Sequence, residues 1–206
     1  MGVGKCTPLP AIYGDMAWIS PYTRHRAAAV RYWFRLTRMP RSRITRRVFD
    51  WDHSIAERGR RCWSKDIKDI LTDCGMGHVF NLDEWHRHSP VSVISVVTQR
   101  LTNVEQMQRS EAAVTMSRMR LYNGITTAVP GNPALHIEAR LTRRQRSVIS
   151  RLRGGTLPLF VETGRYTNKP QDQRLCISCG DGQVENETHF IFECPRYDVI
   201  RQKYDI

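Results

Sequence analysis

Four residues near the end of the chain constrain its fold more than any other feature: Cys176-x2-Cys179-x9-His189-x4-Cys194. Zinc takes thiolate and imidazole donors, four at a time, in a tetrahedron. A Cys-x2-Cys pair converges on one ion because a tight turn, here Ile177-Ser178, aims both sulfurs inward. Gly180-Asp181-Gly182 then lets the chain reverse. Asn186 reads as a helix N-cap, with His189 in the first turn and Cys194 near the end; Pro195 interrupts any regular continuation through Tyr204. One Zn2+ ion held by Cys176, Cys179, His189 and Cys194 is therefore expected to tie a turn to a helix. A structural zinc contributes on the order of 10 kcal/mol to folding, far more than a segment of about 30 residues gains from its own core. The competing reading is two buried thiols, a stray histidine and a surface cysteine, and the compact spacing argues against it. A disulfide framework fits less well, because Cys6, Cys62 and Cys74 are scattered and no apolar stretch marks a secretion signal.

The charge is as informative as the cysteines. The chain of 206 residues carries a net charge of +12, and its only lysines are Lys5, Lys65, Lys68, Lys169 and Lys203. Arginine favours bidentate phosphate contacts and stacking on flat rings, so this excess points towards nucleic acid. The alternative is a merely solvated basic surface. The charge is uneven: residues 1–60 are net +8, 61–130 net +1, 131–175 net +6 and 176–206 net −3. An acidic staple is a poor phosphate binder, so any contact is expected upstream of it, through Arg31, Arg35, Arg38, Arg143, Arg144, Arg146, Arg151 and Arg153.

Periodicity predicts a mainly α protein, with a helical region followed by a small zinc-stapled module. Ser20-Pro21 opens a helix with Ala27, Val30, Trp33, Phe34 and Leu36 on its apolar stripe, stopped by Pro40. A second helix follows from Ser42, with Ile44, Val48 and Phe49 inward. Ser64 is expected to cap a third that buries Ile67, Ile70, Leu71 and Cys74 and ends at Gly75 and Gly77. Ser89-Pro90 starts a long amphipathic stretch to about Tyr122, with Ile94, Val97, Leu101, Val104 and Met107 inward. Residues 123–134 read as a linker. Thr142 and Gln145 form a capping-box pattern for a basic helix ending at Gly154-Gly155. The domain line is drawn between a basic helical region, 1–139, and the basic helix plus zinc module, 140–206. No run of about 18 apolar residues exists, so no membrane-spanning helix is expected.

Other constellations carry less. Residues 2–7, GVGKCT, lack the earlier glycine and the hydroxyl of a phosphate loop. Asp50, Asp52 and His53, and likewise Asp83, Glu84, His86 and His88, are arranged as an acid–base or metal site would be, but short polar clusters at helix starts are more often caps. Trp18, Trp33, Trp51, Trp63 and Trp85 are expected in the core rather than stacked on bases.

With these residues in view, the chain resembles the C-terminal portion of the reverse transcriptase of non-LTR (LINE-like) retrotransposons. The resemblance lies in GVGKCTPLPAIYGDMAWI (2–19), RYWFRLTRMPRSRITRRVFDWD (31–52), LTRRQRSVISRLRGGTLPLFVETGRYTN (141–168) and RLCISCGDGQVENETHFIFECPRYDVIR (174–201), in the family's order. Residues 90–135 resemble it only weakly. That family's polyprotein joins an endonuclease, a polymerase palm and this C-terminal part, and copies element RNA into chromosomal DNA. The palm's aromatic-x-Asp-Asp motif is absent, since no two aspartates are adjacent. The resemblance therefore implies a non-catalytic fragment: thumb-proximal and post-thumb helices plus a Cys-Cys-His-Cys knuckle at Cys176, Cys179, His189 and Cys194. Its expected partners are RNA and/or DNA and a full-length reverse transcriptase. Its expected setting is intracellular, nuclear and/or cytoplasmic. Two alternatives stand beside it: a retrotransposon relic with no independent activity, and a metal-dependent enzyme using Asp50, Asp52 and His53.

Overall fold

A computed structural model describes residues 7–81, 85–125 and 132–205. Residues 2–6 of the phosphate-loop-like stretch, Asp83 and Glu84, the Trp85 side chain and most of the 123–134 linker lie outside the described residues. The chain is mainly α, as expected. The helices are α1 (Leu9–Asp15), α2 (Pro21–Thr37), α3 (Ile44–Glu57), α4 (Trp63–Asp73), α5 (Pro90–Thr115), α6 (Arg120–Ile125), α7 (Leu135–Glu138), α8 (Arg143–Arg153), α9 (Phe160–Thr163) and α10 (Asp198–Tyr204). Among the described residues there is no strand, only an antiparallel bridge between Leu175 and Val184. Among the described residues, no helix is long and apolar enough to cross a membrane.

Packing divides the chain into Ile19–Gln108 and a second unit made of Met1–Trp18 with Arg109–Ile206. The line drawn from sequence at 139/140 is a different partition, and Asp15 shows why the first residues join the C-terminal half. Its nearly buried carboxylate accepts from Arg153 Nη2 at 2.9 Å and Nε at 3.2 Å, and its carbonyl accepts from Ala134 N at 2.8 Å. Arg153 also lies over the Tyr122 ring. Ala11, Ala113, Met119 and Tyr122 form the apolar contact beneath.

In Ile19–Gln108 the core gathers around Trp33, which is fully buried on α2. Phe80, from the 3-10 turn Gly77–Phe80, stacks on Trp33 at 5.8 Å, and Phe34 meets it edge-on at 5.0 Å. Val30, Leu36, Phe49, Ile67, Leu71, Val93, Val97 and Leu101 complete the same cluster. The start of α2 follows the sequence: Pro21 occupies the first turn and Ser20 Oγ accepts from Thr23 N. Ser20 N and Oγ in turn donate to Glu105 on α5.

Helix α3 is oriented by two polar side chains. Arg46, buried, donates to the Leu36 and Thr37 carbonyls at the end of α2 and to Asp50 Oδ1 at 2.7 Å. A cation there satisfies orphan carbonyls and opposes the negative end of the α2 dipole. Asp52 Oδ2 accepts from Ser64 N at 2.8 Å, which places a carboxylate at the positive start of α4. These two contacts turn Arg46, Phe49, His53 and Ala56 inward. Ile44 and Val48, expected inward, are exposed. Cys62 is the N-cap residue of α4 but its thiol donates to Asp52 O at 3.4 Å instead of capping, and the expected Ser64 cap is replaced by the Asp52 carboxylate reaching from α3.

Further departures have local causes. Helix α5 ends at Thr115, not near Tyr122, because Met116 is extended; a 3-10 turn and α6 follow. Val104 and Met107 are exposed, so the stripe of α5 that joins the Trp33 cluster stops at Leu101, and buried Ala113 belongs to the second unit's cluster. Of the tryptophans, Trp33 is buried and Trp63 packs partly against the core, whereas Trp18 and Trp51 are exposed. Cys74 is a buried thiol, raised in pKa mainly by that burial, and Cys62 is half-buried.

Two outcomes follow. Asp52→Ala removes a tertiary cap and should cost about 1 kcal/mol in urea unfolding. His53, buried against Phe80 at 4.4 Å, has its pKa lowered from 6.5, chiefly by desolvation and against the pull of Glu57, Asp50 and Asp52. Above pH 6.5 folded and unfolded chains both hold it neutral; as the pH falls below that value the unfolded chain takes the proton first. Unfolding free energy should therefore decline as the pH falls below 6.5, and His53→Leu should flatten that decline relative to the parent.

Candidate metal centre

The site is built from two local structures. The first is a reversal. Cys176 N donates to Gln183 O at 2.7 Å and Glu185 N to Arg174 O at 2.9 Å, pairing the two arms. At the tip, Gly180 N donates to Cys176 O at 3.2 Å. Gly180 and Gly182 both have φ near +70°, and a Cβ on either would meet nothing within 4 Å. Backbone conformation, not space, is what calls for glycine there.

The second is a widened helical turn. Asn186 Oδ1 accepts from His189 N at 2.8 Å, the cap expected from the sequence. Residues His189–Glu193 then form a π turn, with Cys194 N donating to His189 O at 2.7 Å. The spacing explains this. On an α-helix, positions five apart diverge by about 140° around the axis. A five-residue hydrogen-bonded turn brings them closer, so the His189 and Cys194 side chains can meet. Arg201 of α10 closes the far end, donating from Nη2 to Cys194 O at 2.7 Å and pairing with Asp198.

All four donor atoms, Sγ of Cys176, Cys179 and Cys194 and Nε2 of His189, lie within 4.8 Å of one another. Cys176 Sγ and Cys194 Sγ are 3.9 Å apart, and Cys179 Sγ and His189 Nε2 are 3.4 Å apart. Cys176, His189 and Cys194 are buried and Cys179 is half-buried. The donor set can hold a metal ion, and every ligand assigned from the sequence is in it. His189 Nδ1 is buried and faces Glu193 Oε2 at 3.7 Å, beyond hydrogen-bond distance. Burial pushes the Cys194 thiol up to about 11. Burial acts the same way on Cys176, but backbone hydrogen bonds from Cys179 and Ser178 outweigh it and lower the pKa.

The module is held to its own unit by acids that the sequence reading passed over. Glu185 Oε2 accepts from Phe160 N at 2.7 Å at the start of α9, and Glu185 O accepts from Val161 N. Arg174 Nη1 donates to Val161 O at 2.6 Å. A Cβ on Gly164 would meet the Arg174 side chain at 2.8 Å, so the glycine makes room for it. Glu187 and Glu162, both buried, share Arg120 at 3.4 and 3.5 Å, and Glu162 also pairs with Arg165. Burial raises the Glu162 pKa against the pull of Arg165 and Arg120. The i,i+3 spacing of Glu162 and Arg165 was a legible signal; the contacts of Arg120 were not.

The basic residues divide. Arg31 and Arg35 on α2 and Arg38 at its C-cap are exposed, in line with exposed Arg24. Arg143 and Arg144 are exposed at the start of α8, whose Thr142–Gln145 capping box forms as expected, and Arg146 is half-buried. Arg151 Nη2 donates to Thr156 O, and Arg153 is taken up by Asp15 inside the fold. The acid–base candidates have structural duties: Asp50 holds Arg46, Asp52 caps α4 and His53 packs on Phe80. Asp15, His136 and Ser150 also lie together, at 3.5 and 3.4 Å, but both partners meet the same His136 Nε2 and Ser150 is buried. One nitrogen cannot relay a proton between them.

Comparison of the chain with family models, curated proteins and solved structures finds no match. The geometry makes its own prediction. Cys194→Ser, or prolonged dialysis against a chelator, should abolish amide-exchange protection in 174–204 while leaving α2–α4 protected. Unchanged protection in 174–204 would show that no ion organises it.

Proposed function

We infer that this chain is a zinc-braced, non-catalytic module that contacts RNA or DNA, the C-terminal part of a non-LTR retrotransposon reverse transcriptase. The observation that carries the reading is the geometry of the Cys3His cluster. Bonds of about 2.3 Å to sulfur and about 2.0–2.1 Å to nitrogen set neighbouring sulfurs about 3.8 Å apart, and a sulfur and a nitrogen about 3.6 Å apart, around a tetrahedral zinc. Two of the separations here are 3.9 and 3.4 Å, and all four donors lie within 4.8 Å of one another. Three thiolates and one imidazole also suit zinc far better than magnesium or calcium, which take oxygen. The same four residues are the ligands that the family resemblance implies.

Zinc here would be structural. All four positions are taken by the chain, so no open site remains for water or substrate. The ion would fasten the reversal at 176–183 to the π turn at His189–Glu193. The proposal assigns no chemistry to Asp50, Asp52 or His53, which already serve Arg46, α4 and the aromatic core.

Phosphate contact is assigned to exposed arginines on two helices. Arg24, Arg31, Arg35 and Arg38 follow one line of α2 for about 21 Å. Arg143 and Arg144 form the second group, on α8. Arg153, bound to Asp15, leaves the candidate set.

Fluorescence anisotropy with a labelled 20-base-pair duplex and the matching single-stranded RNA tests this. Affinity should fall with salt, with a log–log slope of about 0.9 per phosphate contacted on the duplex. Replacing Arg31, Arg35 and Arg38 together by alanine should reduce that slope by about 2.7 if each touches one phosphate. No binding to either nucleic acid at about 50 mM salt would overturn the reading.

A further inference from the structure

Helix α3 leaves an apolar line on the side away from its core. Ile44 is 76% exposed, Val48 58% and Trp51 67%, and Ile55 is half-buried in the same line. The spacing is 4-3-4. On an α-helix these four positions fall within about 60° around the axis, roughly opposite the inward set Arg46, Phe49, His53 and Ala56. A 4-3-4 repeat of β-branched and aromatic residues is the seam along which one helix packs on another. Three neighbouring large apolar side chains at this exposure mark an interaction face more readily than scattered surface residues do.

Charge selects the occupant. Arg47 and Arg58 border the line on one side, and Arg43 stands at its N-terminal end, all three exposed. On the other side the border is Thr45 and Asp52, the latter engaged with Ser64 N. The whole unit Ile19–Gln108 has 16 Lys and Arg against 9 Asp and Glu, net +7. A second copy would bring +7 against +7 and is disfavoured. A nucleic acid would satisfy the arginines but leave Ile44, Val48 and Ile55 without apolar partners.

We propose that the Ile44–Val48–Trp51–Ile55 face of α3 docks an amphipathic helix of another polypeptide, one with apolar side chains at 4-3-4 spacing and carboxylates along the edge that meets Arg47 and Arg58. This goes beyond nucleic-acid contact, which is assigned to other residues. The seam supplies apolar burial, and the arginine edge sets orientation and excludes basic helices.

The test uses the full chain and three fluorescein-labelled 21-residue peptides. One carries leucine at 4-3-4 positions with glutamate flanks, one has the same leucines with lysine flanks, and one has glutamate flanks with the leucines replaced by glutamine. The first should bind saturably and the other two at least tenfold more weakly. Val48→Glu and Trp51→Glu, at exposed positions and checked by circular dichroism, should each weaken the first peptide at least tenfold. Arg47→Glu with Arg58→Glu should reverse the preference towards the lysine-flanked peptide, a change that simple misfolding does not produce. Equal binding of all three peptides, no binding of the first, displacement of it by a 12-nucleotide RNA, or a dimer in sedimentation that Val48→Glu disrupts would each overturn the proposal.

Discussion

The C-terminal segment depends on one geometric demand: four donors from two unlike local structures must reach a common point. Neither structure is large enough to be stable alone. The reversal at 174–185 is tied by a few backbone hydrogen bonds, and the turn after Asn186 is shorter than an isolated helix requires. The five-residue step from His189 to Cys194 is unsuited to an α-helix, and the chain answers with a π turn. Once that turn is set, Arg201 can bond the Cys194 carbonyl, and Glu185 and Glu187 face α9 and Arg120. Part of this segment's acidity then has a structural meaning: Glu185 accepts from Phe160 N at the start of α9, and buried Glu187 pairs with Arg120.

A related logic runs through Ile19–Gln108, with helix ends in place of clustered donors. Arg46 closes α2 and Asp52 opens α4, both from α3. Opposite charges at opposite dipole ends fix the rotation of α3 about its own axis. That rotation buries Phe49 and His53 and turns Trp51 outward.

Much of this was legible in the sequence. The cysteine and histidine spacing named all four donors, Ser20-Pro21 marked the start of α2, and the Thr142–Gln145 pair marked α8. These signals are local, with cause and effect a few residues apart. What was not legible depended on distant partners. The inward face of α3 could not be read from Ile44 and Val48, because a buried arginine bonded to carbonyls ten residues away outranks their hydrophobicity. Asp15 and Arg153 are 138 residues apart and share no pattern. Ser64 looked like a cap because caps are usually local; the cap came from α3. The exposure of Trp51 follows from the same rotation.

The central claim is that Cys176, Cys179, His189 and Cys194 share one zinc ion. X-ray absorption at the zinc edge, on protein purified without added metal, tests it most directly. The account predicts one zinc per chain with three sulfurs at about 2.3 Å and one nitrogen at about 2.0–2.1 Å. A shell of oxygen and nitrogen alone, or no stoichiometric zinc, would contradict it.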